Sequence, residues 1–181
     1  MAYDKIASFL ISGELPPIYV GQSLDVLINK MGTPTSHKTI ESFWRDIERT
    51  RQKTYNSDRQ IVWYGAAEIY LFLEDYQLQN MKIEGYTIKH IYYQDRSLPR
   101  LLTNDGWHTV FNTLFGCSEA KLRLLLQNLS IKARKRVNRL PYLSIHIEDS
   151  DVCLHFDGDK GIGGLQKTGV DKHLYPTTEA W

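Results

Sequence analysis

Gly21-Gln22-Ser23-Leu24-Asp25-Val26-Leu27-Ile28-Asn29-Lys30-Met31-Gly32-Thr33-Pro34 is the most strongly punctuated stretch of the 181-residue chain. Ser23 has the side chain to cap a helix, and Leu24, Leu27, Ile28 and Met31 recur at the i, i+3, i+4, i+7 spacing of one helical face. Gly32 stops that helix, and Thr33-Pro34 leads the chain away because proline cannot continue a helix and restricts the residue before it. Residues 116–129 repeat the plan: Gly116-Cys117-Ser118, with Ser118 as the cap, is followed by Leu122, Leu125, Leu126 and Leu129 at the same spacing.

Each helix leads, through a basic polar stretch, to a strand pair: 61–64 with 68–73 in the first half, 143–147 with 151–156 in the second. Ile69, Leu71 and Leu73 alternate like Val152, Leu154 and Phe156, with Tyr70 and Phe72 standing where the second half has Cys153 and His155. Acidic turns at 74–77 and 157–161 then open a last strand, at 78–83 or 162–167, closed by Gly85 or Gly169. The order predicts an α+β fold: a tandem repeat of helix plus antiparallel hairpin or meander, with the helices on one face of the sheet. The alternative is a chance agreement among common α+β signals. Residues 1–94 form the first unit, with a helical insertion at about 38–56 read from the stripe Ile40, Phe43, Trp44 and Ile47. A linker at 95–106 ends in Asp105-Gly106, and 107–181 is the second unit with a C-terminal tail. The helix-free face then carries alternate residues of every strand, either Tyr70 and Phe72 or their neighbours.

A hydrophobic fraction of 42% beside 24% charged residues is that of a globular chain, long enough to bury a core without staples. Lys and Arg number 22 against 21 Asp and Glu, so any charged site must be local rather than a property of the whole chain. The N-terminus lacks a basic leader region, and no apolar run is long enough to span a bilayer, which predicts a cytoplasmic protein without a membrane partner. Cys117 and Cys153 lack the paired spacing of a zinc site and read as reduced thiols.

Candidate chemistry is thin. His146 and His155, near Glu148 and Asp157, supply too few ligands for a zinc tetrahedron. Residues 157–161 open like a calcium loop, but Gly161, Ile162 and Thr168 occupy positions that need a ligand, a turn glycine and a closing glutamate. Gly161-Ile162-Gly163-Gly164 lacks the Lys-Ser or Lys-Thr of a phosphate loop. Cys117 near a helix start, with His108 close in sequence, is the one nucleophile candidate, and no signature surrounds it. No catalytic residue, metal or cofactor is expected. Two basic stretches, Arg45, Arg49 and Arg51 (with Lys53 and Arg59) and Lys132, Arg134, Lys135, Arg136 and Arg139, have the residue types to track a nucleic-acid backbone beside exposed aromatics. Equally, they fit solvated connections balanced by acidic neighbours.

The glycine-capped helix 21–31, its Gly32-Thr33-Pro34 exit, and Trp63-Tyr64-Gly65 with the strand behind it resemble the units of the β-lactamase-inhibitor-protein-like fold. They are also similar to small bacterial immunity proteins encoded beside polymorphic toxins. The likeness is clearest over 21–85; the second half keeps cap and strands but reads Leu129-Ser130-Ile131 at the helix exit. The resemblance implies a non-catalytic inhibitor that binds a toxin directly, burying aromatic anchors against its partner. Candidate anchors on physical grounds are Trp63, Tyr70, Phe72, Tyr92, Tyr93 and Trp107. A nucleic-acid-binding module using 45–59 and 132–139 is the alternative, and a small enzyme centred on Cys117 or on His146, His155 and Asp157 is a third reading.

Overall fold

The structure is a computed structural model that describes residues 2–39, 59–65, 67–73, 81–89, 107–137, 143–168 and 178–180. Two helices, α1 (Ala2–Ser12) and α2 (Leu24–Met31), precede strands β1 (Ser36–Thr39), β2 (Arg59–Tyr64), β3 (Ala67–Leu73) and β4 (Met81–Lys89). Two more, α3 (His108–Leu114) and α4 (Glu119–Asn128), precede β5 (Ala133–Val137), β6 (Leu143–Ile147), β7 (Val152–Phe156), β8 (Ile162–Thr168) and the short β9 (Thr178–Ala180). The fold is α+β with one antiparallel sheet in the order β1-β2-β3-β4-β8-β7-β6-β5-β9. The last long strand of each half, β4 and β8, meets its counterpart at the centre.

The two capped helices form as their sequences dictate. Ser23 accepts from the Val26 amide and Ser118 from the Lys121 amide, each at 3.4 Å. Gly32 ends α2 at φ 82° and donates to the Ile28 carbonyl. At the end of α4, Ser130 takes the left-handed turn at φ 55°, with Ile131 donating to Leu126 and Ser130 to Gln127. That is a Schellman stop made without glycine.

Cross-strand register fixes which side of the sheet is the core. Tyr64, Ala67, Ile88, Leu165, Leu154 and Ile145 pair in one continuous row, and Val62, Ile69, Tyr86, Lys167 and Val152 in the next. Apart from half-buried Lys167 all are buried, and each large apolar side chain removed from water contributes roughly 1.5–3 kcal/mol. A slip by one residue would turn the whole set outward, so the pairing is strongly specified.

Every described helix is tied to this same side. Tyr86 Oη donates to the Gly13 carbonyl just past α1, and Tyr64 Oη to the Gly32 carbonyl at the end of α2. Lys135 reaches Glu119 of α4, and Trp107, at the start of α3, packs edge-on against Phe9 of α1 with ring centroids 5.6 Å apart. Ile6, Phe9 and Leu10 of α1 and Val110, Phe111 and Leu114 of α3 complete the core.

Several expectations need correction. The basic stretch after α4 is strand β5 rather than a connection, because its alternation serves two faces. The third strand of the first half does not end at Gly85 but runs through it to Lys89, with a bulge opposite Tyr70 and Leu71 absorbing the irregularity. Helices α1 and α3 were not anticipated. The insertion at 38–56 lies outside the described residues apart from the end of β1, and so does the linker at 95–106.

Candidate recognition surface

The residues between the core rows define the opposite face. Trp63, Glu68, Thr87, Gln166, Cys153 and His146 are consecutive partners across six strands, and the row continues to Arg134 of β5. Trp63, Gln166, Cys153 and His146 are half-buried, while Thr87 in the same row and Ser144 beside it are buried; no described helix is tied to this side. Tyr70 and Phe72 occupy ladder positions on this side, opposite Ile61 and Arg59 of β2. Trp63, Tyr70 and Phe72 therefore belong to one face on neighbouring strands.

Trp107 does not join them. It is buried, donates its indole N–H to the Pro16 carbonyl at 3.1 Å and stacks between Phe9 and Phe111. Its satisfied N–H and its ring contacts make it a core residue, which removes it from the anchor candidates. Tyr92 and Tyr93 lie outside the described residues, as do Arg45, Arg49, Arg51 and Arg139.

The described basic residues are divided by the strand that carries them. Arg134 lies on the helix-free side and forms a 2.7 Å ion pair with Glu148, whose carboxyl is held below its usual range chiefly by that hydrogen bond. Lys135 points to the helix side and pairs with Glu119 at 2.9 Å. Arg136 holds a helix-free ladder position opposite Ser144, and Lys132 is exposed ahead of β5. Alternation sends Lys135 to the opposite side from the positions of Arg134 and Arg136, so the described part of the stretch is split between the two faces.

A polar network crosses the second half of the face. His155 Nδ1 lies 2.9 Å from Ser144 Oγ, and its Nε2 lies 2.7 Å from Gln166 Oε1, joining β6, β7 and β8. His146 instead faces Asp151 at 3.8 Å, while Asp157 is exposed and approaches Lys160 at 3.8 Å. The three residues of the enzyme reading thus engage different partners, and no cluster of three metal-ligating side chains occurs among the described residues. Residues 157–161 close as a hairpin turn in which the Asp157 amide donates to the Gly161 carbonyl. Burial pushes the Cys117 thiol up, with Lys121 pulling it partly back, so the thiolate of a nucleophile is disfavoured there. On the helix side, a shallow hollow of about 190 Å³ lies between Lys5, Ser8, Glu14 and Trp107, small beside the roughly 300–1,000 Å³ of a ligand cleft.

The Ser144–His155–Gln166 network and the row around it escaped the sequence reading, since the register of distant strands leaves no mark in local pattern. Among the described residues, no helix is long and apolar enough to cross a membrane. Compared with protein-family models, with characterised proteins and with solved structures, the chain has no match.

Proposed function

We propose that this chain is a non-catalytic binding protein that docks another protein on the helix-free face of its sheet, as an immunity-type inhibitor of a bacterial toxin acting in the cytoplasm. The observation that carries the reading is the placement of Trp63 and the ladder positions of Tyr70 and Phe72 on one face, opposite the side to which the four described helices are tied. Aromatic residues at neighbouring positions of an ordered sheet supply large contact area at low entropic cost, the usual make-up of an interface hot spot. Among the described residues, two helices precede an antiparallel set of strands in each half, four in the first and four plus the short β9 in the second, and the halves meet through β4 and β8. That symmetry of order supports a tandem repeat, and it doubles the width of the docking face.

The nucleic-acid reading loses ground because the cations of β5 point to opposite sides, and Arg134 and Lys135 are already paired with Glu148 and Glu119. The test is affinity capture from the native host with wild-type protein and a Trp63→Glu variant as parallel baits. One protein captured by the wild type in about a one-to-one ratio with the bait and lost by the variant is the expected result. Equal retention by both, or none by either, refutes the proposal.

A further inference from the structure

The ladder is its own image about one cross-strand pair, Thr87 of β4 with Gln166 of β8. On one side of that pair Gly85 meets Thr168 and Tyr86 meets Lys167; on the other Lys89 meets Gly164 and Ile88 meets Leu165. A bulge follows at the same place in each half: Tyr70 pairs with Gly85 but Leu71 with Ile83, and His155 pairs with Gly164 but Phe156 with Ile162. Each of those isoleucines exchanges two backbone hydrogen bonds with the residues ahead of a helix cap, Ile83 with Gly21 and Gln22, Ile162 with Gly116 and Cys117. Register thus makes His146 the counterpart of Trp63 and His155 that of Tyr70, two residues away from the correspondence read in the alternation. Thr87 and Gln166 stand at the middle of the helix-free face.

Gln166 is held there by a chain of hydrogen bonds. Its Oε1 lies 2.7 Å from His155 Nε2, and a carboxamide oxygen only accepts, so Nε2 carries the ring proton. The neutral ring then accepts at Nδ1 from Ser144 Oγ, 2.9 Å away. His155 has room to lie over β8 because its cross-strand partner is Gly164, where a Cβ would touch His155 Cβ at 3.7 Å and Cδ2 at 3.8 Å. With Oε1 fixed, the planar amide turns its two Nε2 hydrogens away from His155, and no described residue accepts them. We propose that Gln166 is the central recognition residue of the docking face: its oriented amide donates to an acceptor oxygen on a single protein lying across both halves. The inference rests on the docking reading above and adds the chemistry at its centre. Strands β1 to β8, at roughly 4.8 Å spacing and about 20 Å long, give a face on the order of 700 Å², close to the ~800 Å² that one partner contributes to a standard interface. One half supplies only about half of that area, so the partner needs both, and its centre falls over Gln166. Hot spots gather near the centre of an interface, and a donor oriented before binding has little freedom left to lose.

The test is selection of a displayed random dodecapeptide library on the wild-type protein, followed by anisotropy titration of the best sequence as a labelled synthetic peptide. Binding should be one to one. Affinity should fall about tenfold in Gln166→Glu, which keeps an oxygen for His155 but has no hydrogens to donate, and in Trp63→Ala, both checked for native circular dichroism. In the wild type, the bound peptide should shift the side-chain amide protons of Gln166 in nitrogen-correlated NMR spectra, and this shift decides the matter alone if Gln166→Glu fails to fold. A peptide that needs Trp63 but tolerates Gln166→Glu and leaves the amide unmoved overturns the role of Gln166 while leaving the docking face standing. Two peptides bound per chain overturn the single occupant across both halves. Peptides indifferent to both variants, or no enrichment, overturn both readings.

Discussion

Lys167 Nζ donates a 2.6 Å hydrogen bond to the Ser12 carbonyl, joining the last turn of α1 to β8 near the other end of the chain. Burial lowers the proton affinity of this amine, and Glu14 and Asp151 restore part of it. One residue on, Tyr86 of β4 holds the Gly13 carbonyl at 2.7 Å. The N-terminal helix is thus clamped to both halves of the sheet, and the halves are expected to unfold in one transition.

Gly13 is the hinge of that clamp. It stands at φ 63°, and a Cβ there would come within 2.8 Å of both Lys167 Cδ and the Ser150 carbonyl. Left-handed strain and overpacking together should cost Gly13→Ala about 2–4 kcal/mol. Urea unfolding followed by circular dichroism measures the loss, with an unchanged slope showing that cooperativity survives.

Alkaline pH should expose the two buried phenols. Burial raises Tyr64 to about 12, and it raises Tyr86 further, with Glu14 adding to the effect. Below pH 10 the phenols are neutral in both folded and unfolded chains and stability does not depend on them. As pH rises above 10 the unfolded chain ionises first, so stability falls, through about 12 for Tyr64. Tyr86→Phe should delay the alkaline loss while costing about 1–2 kcal/mol at neutral pH through the lost hydrogen bond. Tyrosinate absorbance and circular dichroism recorded together across this range check both parts.

The two described tryptophans should respond to truncation in different measure. Trp107→Ala empties a site packed by Phe9 and Phe111 and should destabilise by about 3–5 kcal/mol. Trp63→Ala removes a half-buried ring from a helix-free face and should cost about 1–2 kcal/mol while abolishing partner capture. Paired unfolding and capture experiments on the two variants check the contrast.

Ser130 occupies the left-handed position that closes α4. Ser130→Gly should therefore stabilise the protein by about 0.5–1 kcal/mol, read as a rise in urea midpoint.

What could be read in advance follows from how local the signal is. Helices α2 and α4 announce themselves through Ser23 and Ser118, apolar stripes and a stop. Helix α3 has as good a stripe, Trp107, Val110, Phe111 and Leu114, but its start has no side-chain cap and follows Asp105-Gly106, which reads as a linker. In α1 the small residues Ala7 and Ser8 hide the spacing of Ile6, Phe9 and Leu10. Charge on both faces disguises β5, because Arg134 and Lys135 satisfy different acids on different sides. Trp63, Tyr70 and Phe72 were legible as candidates through composition and alternation. Their common face and the exclusion of Trp107 depend on long-range register and packing, which only the folded sheet supplies.

Hydroxyl-radical footprinting resolved to single side chains bears most directly on whether the sheet has one helix-covered side and one left for recognition. Trp63, Cys153 and His146 should be oxidised readily in the isolated protein, while Trp107, Phe111 and Tyr86 are modified far more slowly. Protection of Trp63 equal to that of Trp107 would mean that both sides are covered, and it would contradict the account.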